Sequence, residues 1–375
     1  MTDGILEQHV DEPVDLDLEV LDLVGLTQND RDTRAREFIS EFAGRKCDLA
    51  TEPPMITALI RISVDEHLLA WAIHHVIADG TTIGIVLGEI WSVYGEFLEG
   101  KRSHLAPNPA RYLDYAIWQQ ATHNDWLQKH GPYWKDRIAG AARLRWPCDT
   151  TVAGAEHANA WFEVVGMTRL ADLRSVARMA RTTPAMVMLT VYAATAASWC
   201  RQSVFTIPVN IAGRHRPEHE CAAGYFAQFL YVAVEMTGCE TFLQLLAKIS
   251  GVFREALMHQ DFGRVATQVP DVLLGSMFSW LPWHRDIGIP ASSISNRMGI
   301  AVHQFPFTHP AIQRLEFLGI GPFFWETEGE YSTALWYSTE IFSASTVERF
   351  AAELRSLCAR VVADPQGLVV GRCHD

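Results

Sequence analysis

The spacing of apolar side chains changes partway through the first third of the chain. Residues 55–75 contain two apolar runs separated by Asp65 and Glu66, a pattern that predicts a β-hairpin. After Gly80, apolar side chains recur every three or four residues as far as residue 97, which predicts an amphipathic helix that Thr81 or Thr82 can cap. The sequence therefore predicts a strand, a short loop and a helix in succession.

Strand and helix patterns also alternate further along the chain. Residues 110–140 have the spacing of one or two amphipathic helices that carry aromatic side chains. The following patterns predict a strand over 161–165, a helix over 168–180 and a buried helix over 184–200 that starts at Pro184. A strand running into a polar loop is predicted over 203–218. A last strand and helix are predicted within 334–365, and the helix has about fifteen residues and ends before Pro365. This order predicts an α/β fold with mixed sheets.

The length of the chain indicates two domains. A chain of 375 residues and 42.0 kDa is longer than a single hydrophobic core usually grows. A cluster of Pro, Thr and Gly over 145–160 is typical of a turn or linker. We therefore place the boundary near residue 150, which gives an N-terminal lobe over 1–150 and a C-terminal lobe over 151–375.

Charge and cysteine content narrow the class of protein. A formal net charge of −13 argues against nucleic-acid binding, which requires a clustered basic face. The seven cysteines are scattered without a C-x-x-C pair, which favours reduced thiols and a cytoplasmic protein. The longest apolar stretch, 184–200, is shorter than a membrane span, and the N-terminus lacks the features of a signal peptide, so no membrane association is expected.

The string HHVIADG, residues 74–80, lies on the predicted loop between strand and helix and is the clearest candidate for chemistry. A neutral imidazole at a strand end can orient or deprotonate an amine or hydroxyl nucleophile. A carboxylate four residues after His75 can anchor the loop through an arginine or a backbone amide. The Gly80 amide, at the start of a helix, can donate to a developing oxyanion.

Metal binding and other common motifs are not indicated by the sequence. His75 and Asp79 have no third ligand nearby, and His215 and His219 are separated by Pro217, which breaks a helix. The D-F-G-R letters at 261–264 lack the context of other D-F-G motifs. No G-x-S-x-G elbow, Walker loop or dinucleotide fingerprint is present.

The motif and several later segments resemble condensation domains of nonribosomal peptide synthetases, which belong with the chloramphenicol acetyltransferase-like acyltransferases. HHVIADG resembles the active-site motif of these domains. The further similar segments, in the family's order, are ARYLDYAIWQQ, YWKDRIAGAARLRWPCD, TIPVNIAGRHRPEHECAAGYFAQFLYVAVEM, ALMHQDF and LWYSTEIFSASTVERF. The resemblance covers nearly the whole chain. The patterns of epimerisation and cyclisation domains, E-G-H-G-R and D-x-x-x-x-D, are absent.

This resemblance implies two similar lobes in a V-shaped pseudo-dimer with a tunnel between them. It implies amide or ester formation between a thioester donor and an acceptor, both on phosphopantetheine of peptidyl or acyl carrier proteins, with no cofactor or metal bound by the chain itself. His75 would handle the amine together with the Gly80 amide, whereas His74 and Asp79 would hold the loop. The candidate tunnel residues are Tyr225, Gln228 and Ser338.

The chain departs from the family pattern at its front. Family members carry about sixty or more residues before the region that matches residue 1, including an arginine thought to pair with the motif aspartate. We therefore expect an incomplete N-terminal lobe in which Asp79 lacks its usual partner, unless the true start lies upstream. The segment 269–280 also keeps little of the family's pattern, and these departures put substrate identity and activity in question.

Two other functions stay open at the level of sequence. The His-x-x-x-Asp arrangement also serves acyltransferases that use soluble acyl-CoA and an alcohol or amine. A degenerate module that docks carrier proteins or other synthetase modules without catalysis is the second alternative. The donor, the acceptor and the oligomeric state are not identified by the sequence.

Overall fold

The chain folds into two compact units, Met1–Val76 and Ile77–Asp375, in a computed structural model. The structure describes residues 7–10, 12, 18–102, 105, 110–140, 142–149, 159–260, 275–280, 319–327 and 329–368. The predicted lobe boundary at residue 150 and the D-F-G-R letters at 261–264 lie outside these residues. That boundary and the arrangement of the two lobes therefore stay predictions.

The described residues of the first unit form a small mixed sheet and one helix. Its elements are β1 (Glu19–Asp22), α1 (Gln28–Ala43), β2 (Met55–Arg61) and β3 (His67–Ile73). The strand order is β1-β2-β3, with β1 parallel to β2 and β2 antiparallel to β3.

The predicted hairpin over 55–75 is confirmed. Arg61 lies opposite His67, and the Ser63 hydroxyl accepts hydrogen bonds from the Asp65 amide at 3.3 Å and the Glu66 amide at 3.1 Å. Serine oxygens commonly close turns in this way, because they replace the acceptors that the strands no longer provide.

The second unit contains a six-stranded mixed sheet and six helices among the described residues. The helices are α2 (Gly80–Leu98), α3 (Tyr112–Ala139), α4 (Leu170–Met179), α5 (Pro184–Cys200), α6 (Phe242–Leu257) and α7 (Ala344–Ala363), with a 3₁₀ turn at Pro217–His219. The strands are β4 (Asn159–Arg169), β5 (Val204–Ile211), β6 (Gln228–Glu235), β7 (Phe278–Trp280), β8 (Ile320–Thr327) and β9 (Glu330–Ser338). The predicted α/β class with mixed sheets is confirmed.

The order of strands in this sheet is β4-β9-β8-β7-β5-β6. β7 pairs in parallel with both of its neighbours, and the other neighbouring pairs are antiparallel. At the β5–β6 edge, Ile211 pairs with Gln228, so the connection 212–227 leaves the sheet at the end of this antiparallel pair. That connection carries most of the candidate site.

The centre of the core is α5, which is the buried helix predicted over 184–200. Thr183 caps its start by accepting from the Met186 amide, and Pro184 occupies the first turn, where proline fits. The buried hydroxyls of Thr190 and Thr195 donate to carbonyls four residues earlier, at 2.8 and 2.9 Å. These bonds satisfy polar groups that would otherwise be costly to bury. Residues of α4, α6, α7 and the sheet share the same core.

Four predicted elements differ in their bounds. The strand predicted over 161–165 extends to Arg169, because β4 pairs with β9 as far as Glu330 across a register shift, and the next helix therefore starts only at Leu170. Residues 112–139 form one helix that includes Pro132. The last helix has 20 residues instead of about fifteen.

A buried tyrosine links α5 to the sheet and provides a test of the core. Tyr192 is fully buried, and its hydroxyl donates to the Ile320 carbonyl at 2.6 Å. We expect Tyr192→Phe to lower the free energy of unfolding by about 1–2 kcal/mol, because a buried carbonyl loses its partner. Urea unfolding measures this loss. The control Tyr94→Phe, at a side chain 45% exposed, should stay within about 0.5 kcal/mol of wild type. Equal stability of the Tyr192 variant and wild type would contradict the assignment.

Candidate active site

Asp79 begins helix α2 and is almost fully buried, with 2% of its surface exposed. Its backbone is extended, and its Oδ1 accepts from the Thr82 amide at 2.9 Å, so it is the N-cap. The prediction that Thr81 or Thr82 caps this helix is therefore wrong. Aspartate is among the best N-cap residues because its carboxylate accepts from the free amides of the first turn.

Arg214 provides the charge that balances Asp79. Its Nη1 donates to Asp79 Oδ2 at 2.6 Å, and both side chains are buried, at 4% and 3% exposure. Asp79 is therefore paired within this chain, and the expectation about an arginine from a preceding segment stays a prediction. Arg214 lies 135 residues later, in the IAGRHRPE segment. The expectation that the carboxylate anchors its loop through an arginine or a backbone amide is confirmed.

Backbone amides complete the coordination of the Asp79 carboxylate. Oδ2 also accepts from the Phe226 amide at 2.9 Å and the Ala227 amide at 3.1 Å. The connection between β5 and β6 is therefore held against the start of α2 at two places, Arg214 and Phe226–Ala227. A buried carboxylate with this many donors is satisfied rather than strained.

The folding of residues 212–227 back onto itself depends on Gly213. Its φ is +65°, and a Cβ atom there would lie 1.9 Å from the Phe226 carbonyl oxygen. Only glycine permits both this backbone conformation and this close approach. The guanidinium of the next residue, Arg214, lies 4.4 Å from the centre of the Phe226 ring, which adds a cation–π contact.

The pKa of Asp79 follows from these contacts. Burial raises the pKa of the Asp79 carboxyl. Hydrogen bonds from Arg214 and from the Thr82 and Phe226 amides lower it by more than burial raises it, so the pKa lies below its usual value. Asp79 is therefore ionised at neutral pH and serves as an anchor, because a carboxylate held in this form is a poor proton acceptor.

An aromatic cluster supports the same connection from α3. Tyr112 and Tyr115 contact the Phe226 ring, with centroids 5.2 and 4.7 Å away, and His219 lies 5.0 Å from Tyr115. The Arg216 guanidinium lies 3.9 Å from the ring of Trp118. The two helices after the motif thus hold the 212–227 connection, α2 through hydrogen bonds and α3 through aromatic packing.

The two motif histidines belong to the first unit, whereas Asp79 and Gly80 belong to the second. His74 is fixed locally: its amide donates to the Pro54 carbonyl at 2.8 Å, and its Nδ1 accepts from the Val76 amide at 3.1 Å. An accepting Nδ1 places the proton of a neutral ring on Nε2. His75 is exposed, and the roles predicted for both histidines stay predictions.

Gly80 is the first residue of α2 and directly follows the Asp79 cap. The amides of the first turn have no acceptor within the helix, and the helix dipole favours negative charge at this end. The capping carboxylate binds the Thr82 amide instead of the Gly80 amide. The role of the Gly80 amide as an oxyanion donor stays a prediction.

The three candidate tunnel residues do not lie together. Gln228 is buried at the start of β6 and donates to the Tyr115 hydroxyl at 3.3 Å, and Tyr225 is half-buried in the connection just before it. Burial raises the pKa of Tyr225, and the Asp79 carboxylate adds to the effect. Ser338 is buried at the end of β9, four strands from β6, which corresponds to roughly 19 Å of sheet.

Arg214, Thr82 and Gly224 complete the anchor, and the sequence does not predict this role for any of them. The IAGRHRPE segment, which contains Arg214, resembles the matching segment of condensation domains. Its sequence does not show that the chain folds back onto α2. Among the described residues, no group of three or more His, Cys, Asp or Glu side chains could hold a metal ion, and no helix is long and apolar enough to cross a membrane.

The chain belongs to the condensation domain family, whose model matches residues 2–370. It is 26% identical to chondramide synthase of Chondromyces crocatus over 372 residues, which is 96% of this chain and 9% of the synthase. It is also 26% identical to a component of the linear gramicidin synthase of Brevibacillus parabrevis, over 98% of this chain and 7% of that protein. The chain thus spans less than a tenth of either relative.

Solved structures share the fold. In a complex of the X-domain and OxyB from teicoplanin biosynthesis, the matching chain superposes with a TM-score of 0.76 at 18% identity, which covers 96% of this chain and 80% of that chain. The predicted resemblance to condensation domains is confirmed.

Removing Arg214 tests whether the ion pair holds the site together. We expect Arg214→Leu to lower the free energy of unfolding by about 3–5 kcal/mol, because the Asp79 carboxylate stays buried without its counter-charge. The double variant Asp79→Asn/Arg214→Leu should lose less than the sum of the two single variants. Urea unfolding measures all three. Arg169→Leu, which removes an exposed pair with Asp172, should cost no more than about 1 kcal/mol. Additive losses would contradict a direct interaction between Asp79 and Arg214.

The lowered pKa of Asp79 predicts a pH dependence of stability. Because the folded-state pKa lies below the unfolded value, the stabilisation is complete above the ordinary value and is lost as pH falls through the folded pKa. The asparagine introduced by Asp79→Asn cannot titrate, so the free energy of unfolding of wild type should fall more steeply than that of this variant from about pH 5 downward. Urea titrations at several pH values compare the two proteins. Parallel curves would show that Asp79 does not carry this dependence.

Proposed function

We propose that this chain catalyses formation of an amide or ester bond between an acyl or peptidyl thioester donor and an acceptor amine or hydroxyl, as a condensation domain of nonribosomal peptide biosynthesis. The observation that carries the proposal is an intact HHxxxDG motif, in a chain of the condensation family, whose Asp79 is buried and fully bonded. A carboxylate held in this way keeps the start of α2 in one conformation.

The bond changes in the proposed reaction balance without a cofactor. The acceptor nitrogen forms a bond to the thioester carbonyl carbon, and the carbon–sulfur bond then breaks. His75 accepts or orients the proton that the amine loses, and this proton ends on the departing thiolate. The Gly80 amide donates to the oxygen that becomes negative in the tetrahedral intermediate.

The proposed substrates are carried on phosphopantetheine arms of peptidyl or acyl carrier proteins. The relatives support this part of the proposal. They are synthases, and the matched region is a small share of each. Carrier proteins and neighbouring synthetase modules are therefore the proposed partners, in the cytoplasm. Soluble acyl-CoA is the competing donor, and the product assay described below distinguishes it from a carrier-bound donor.

A second candidate function is recruitment of another enzyme without catalysis. The observation that favours it is the fold shared with the X-domain that forms a complex with OxyB. At 18% identity this likeness concerns the fold alone. The chain retains both histidines together with a buried Asp79 whose charge is balanced by Arg214. This arrangement supports catalysis instead, since docking alone does not require it.

Replacing His75 tests the catalytic proposal. We expect His75→Ala to lower the rate of product formation by about 10²- to 10⁴-fold, because a group that handles the amine proton is lost. Donor-loaded and acceptor-loaded carriers are mixed with each protein, and the products are weighed by mass spectrometry. The matched control is His67→Ala, which removes an exposed histidine at the start of β3 and should retain wild-type activity.

Three other outcomes decide between the alternatives. Equal product from wild type and His75→Ala would overturn the catalytic role of His75. Turnover of acyl-CoA but not of carrier-bound donors would favour the soluble acyltransferase. No turnover of either donor by wild type, with carrier or partner binding unchanged in His75→Ala, would favour the docking module.

A further inference from the structure

The hydroxyl of Thr82 lies at the centre of the hydrogen bonds that join α2 to the 212–227 connection. Thr82 is the third residue of α2 and has 4% of its surface exposed. Four polar groups lie within hydrogen-bond distance of its Oγ1: Gly224 O at 2.6 Å, Arg214 Nη2 at 2.9 Å, Gly224 N at 3.0 Å and Asp79 Oδ1 at 3.0 Å.

Hydrogen-bonding capacity determines the direction of these bonds. A hydroxyl has one hydrogen to donate and two lone pairs to accept with. The Gly224 amide and the Arg214 guanidinium can only donate, so they fill the two lone pairs of Oγ1. The hydrogen is left for an acceptor, and the Gly224 carbonyl is the nearer of the two, at 2.6 Å. Thr82 therefore accepts from the amide and donates to the carbonyl of the same residue, 142 positions away.

Gly224 packs directly against α3. A Cβ atom on Gly224 would lie 2.2 Å from Cδ2 of Tyr112, so only glycine fits between the Tyr112 ring and the Thr82 hydroxyl. The next residues of the connection are bound by Asp79 through the Phe226 and Ala227 amides. Thr82 and Asp79 thus hold the two ends of a short loop, 224–227, against the first turn of α2.

This loop contains Tyr225, which the sequence predicts as a tunnel residue, and the first turn of α2 contains Gly80, which it predicts as an oxyanion donor. Gly80 lies two residues before Thr82 on the same turn, and Tyr225 directly follows the residue that Thr82 binds. The Thr82 hydroxyl therefore ties the residue before Tyr225 to the turn that carries Gly80. Thr82 hydrogen-bonds both the amide and the carbonyl of Gly224, and Arg214 Nη2 also lies 3.4 Å from that carbonyl.

We infer that Thr82 is a positioning residue for the acyl transfer proposed above, on which this inference rests. Its hydroxyl fixes loop 224–227 to the first turn of α2, so that the Gly80 amide and Tyr225 keep the separation that the transition state requires. Thr82 itself touches neither donor nor acceptor. Loss of the hydroxyl lowers kcat, because a small displacement of an oxyanion donor weakens an interaction made mainly in the transition state.

Three variants separate the hydroxyl from the shape of the side chain. Thr82→Val keeps the shape and removes the hydroxyl, and it should lower kcat about 10- to 100-fold with a much smaller change in KM. Thr82→Ser keeps the hydroxyl and should restore kcat to within about threefold of wild type. Thr81→Val makes the same change one residue earlier, away from the hydroxyl that binds Gly224, and should leave kcat unchanged. Rates are measured well below the unfolding temperature of each variant, per folded protein.

A second measurement does not depend on turnover. Hydrogen exchange at the Gly224 amide, which donates to Thr82 Oγ1, should be faster in Thr82→Val than in wild type, Thr82→Ser or Thr81→Val. A Thr82→Val protein with wild-type kcat, or with wild-type exchange at Gly224, would overturn the inference. If wild type makes no product from any donor, the proposed function fails on its own, and the exchange measurement alone then decides whether Thr82 holds the loop.

Discussion

The ion pair between Asp79 and Arg214 is the constraint on which the site depends. Each side chain is at most 4% exposed, and a carboxylate taken out of water costs several kcal/mol unless its charge and lone pairs are matched. Here Oδ2 accepts from Arg214 Nη1 and from the Phe226 and Ala227 amides, while Oδ1 faces Thr82. Because these donors come from distant parts of the chain, satisfying one carboxylate requires α2 and the 212–227 connection to meet.

The sheet and α3 place these donors within reach. The antiparallel pair β5–β6 ends at Ile211 and Gln228, so the connection begins and ends at neighbouring points of one sheet edge. Gly213 lets the chain turn back close to the Phe226 carbonyl, and the Tyr112 and Tyr115 rings pack against Phe226. Arg214 then lies between the Phe226 ring and Asp79. Burial by the aromatic side chains strengthens the ion pair, since it excludes the water that would screen it.

Local patterns are sufficient to predict the elements, and non-local contacts explain where prediction stops. The hairpin around Asp65 and the buried helix from Pro184 follow from periodicity and turn residues that lie within a few positions of each other. The end of β4 cannot be read in this way, because its length is set by pairing with β9. Arg214 escapes prediction for the same reason: the sequence places it in a polar loop, and only the return of that loop to α2 makes it the partner of Asp79.

The identity of the residue at 214 matters as much as its charge. A lysine could neutralise Asp79 through a single ammonium group, whereas the planar guanidinium presents two Nη groups in a fixed fork. Nη1 binds the Asp79 carboxylate, and Nη2 binds the Thr82 hydroxyl and lies 3.2 Å from the Ala222 carbonyl. One side chain therefore orients the cap of α2, its third residue and the connection together. The HHVIADG motif does not contain the cation that balances the charge of its aspartate. The ionised, buried form of Asp79 therefore depends on Arg214, 135 positions away, as much as on the motif itself.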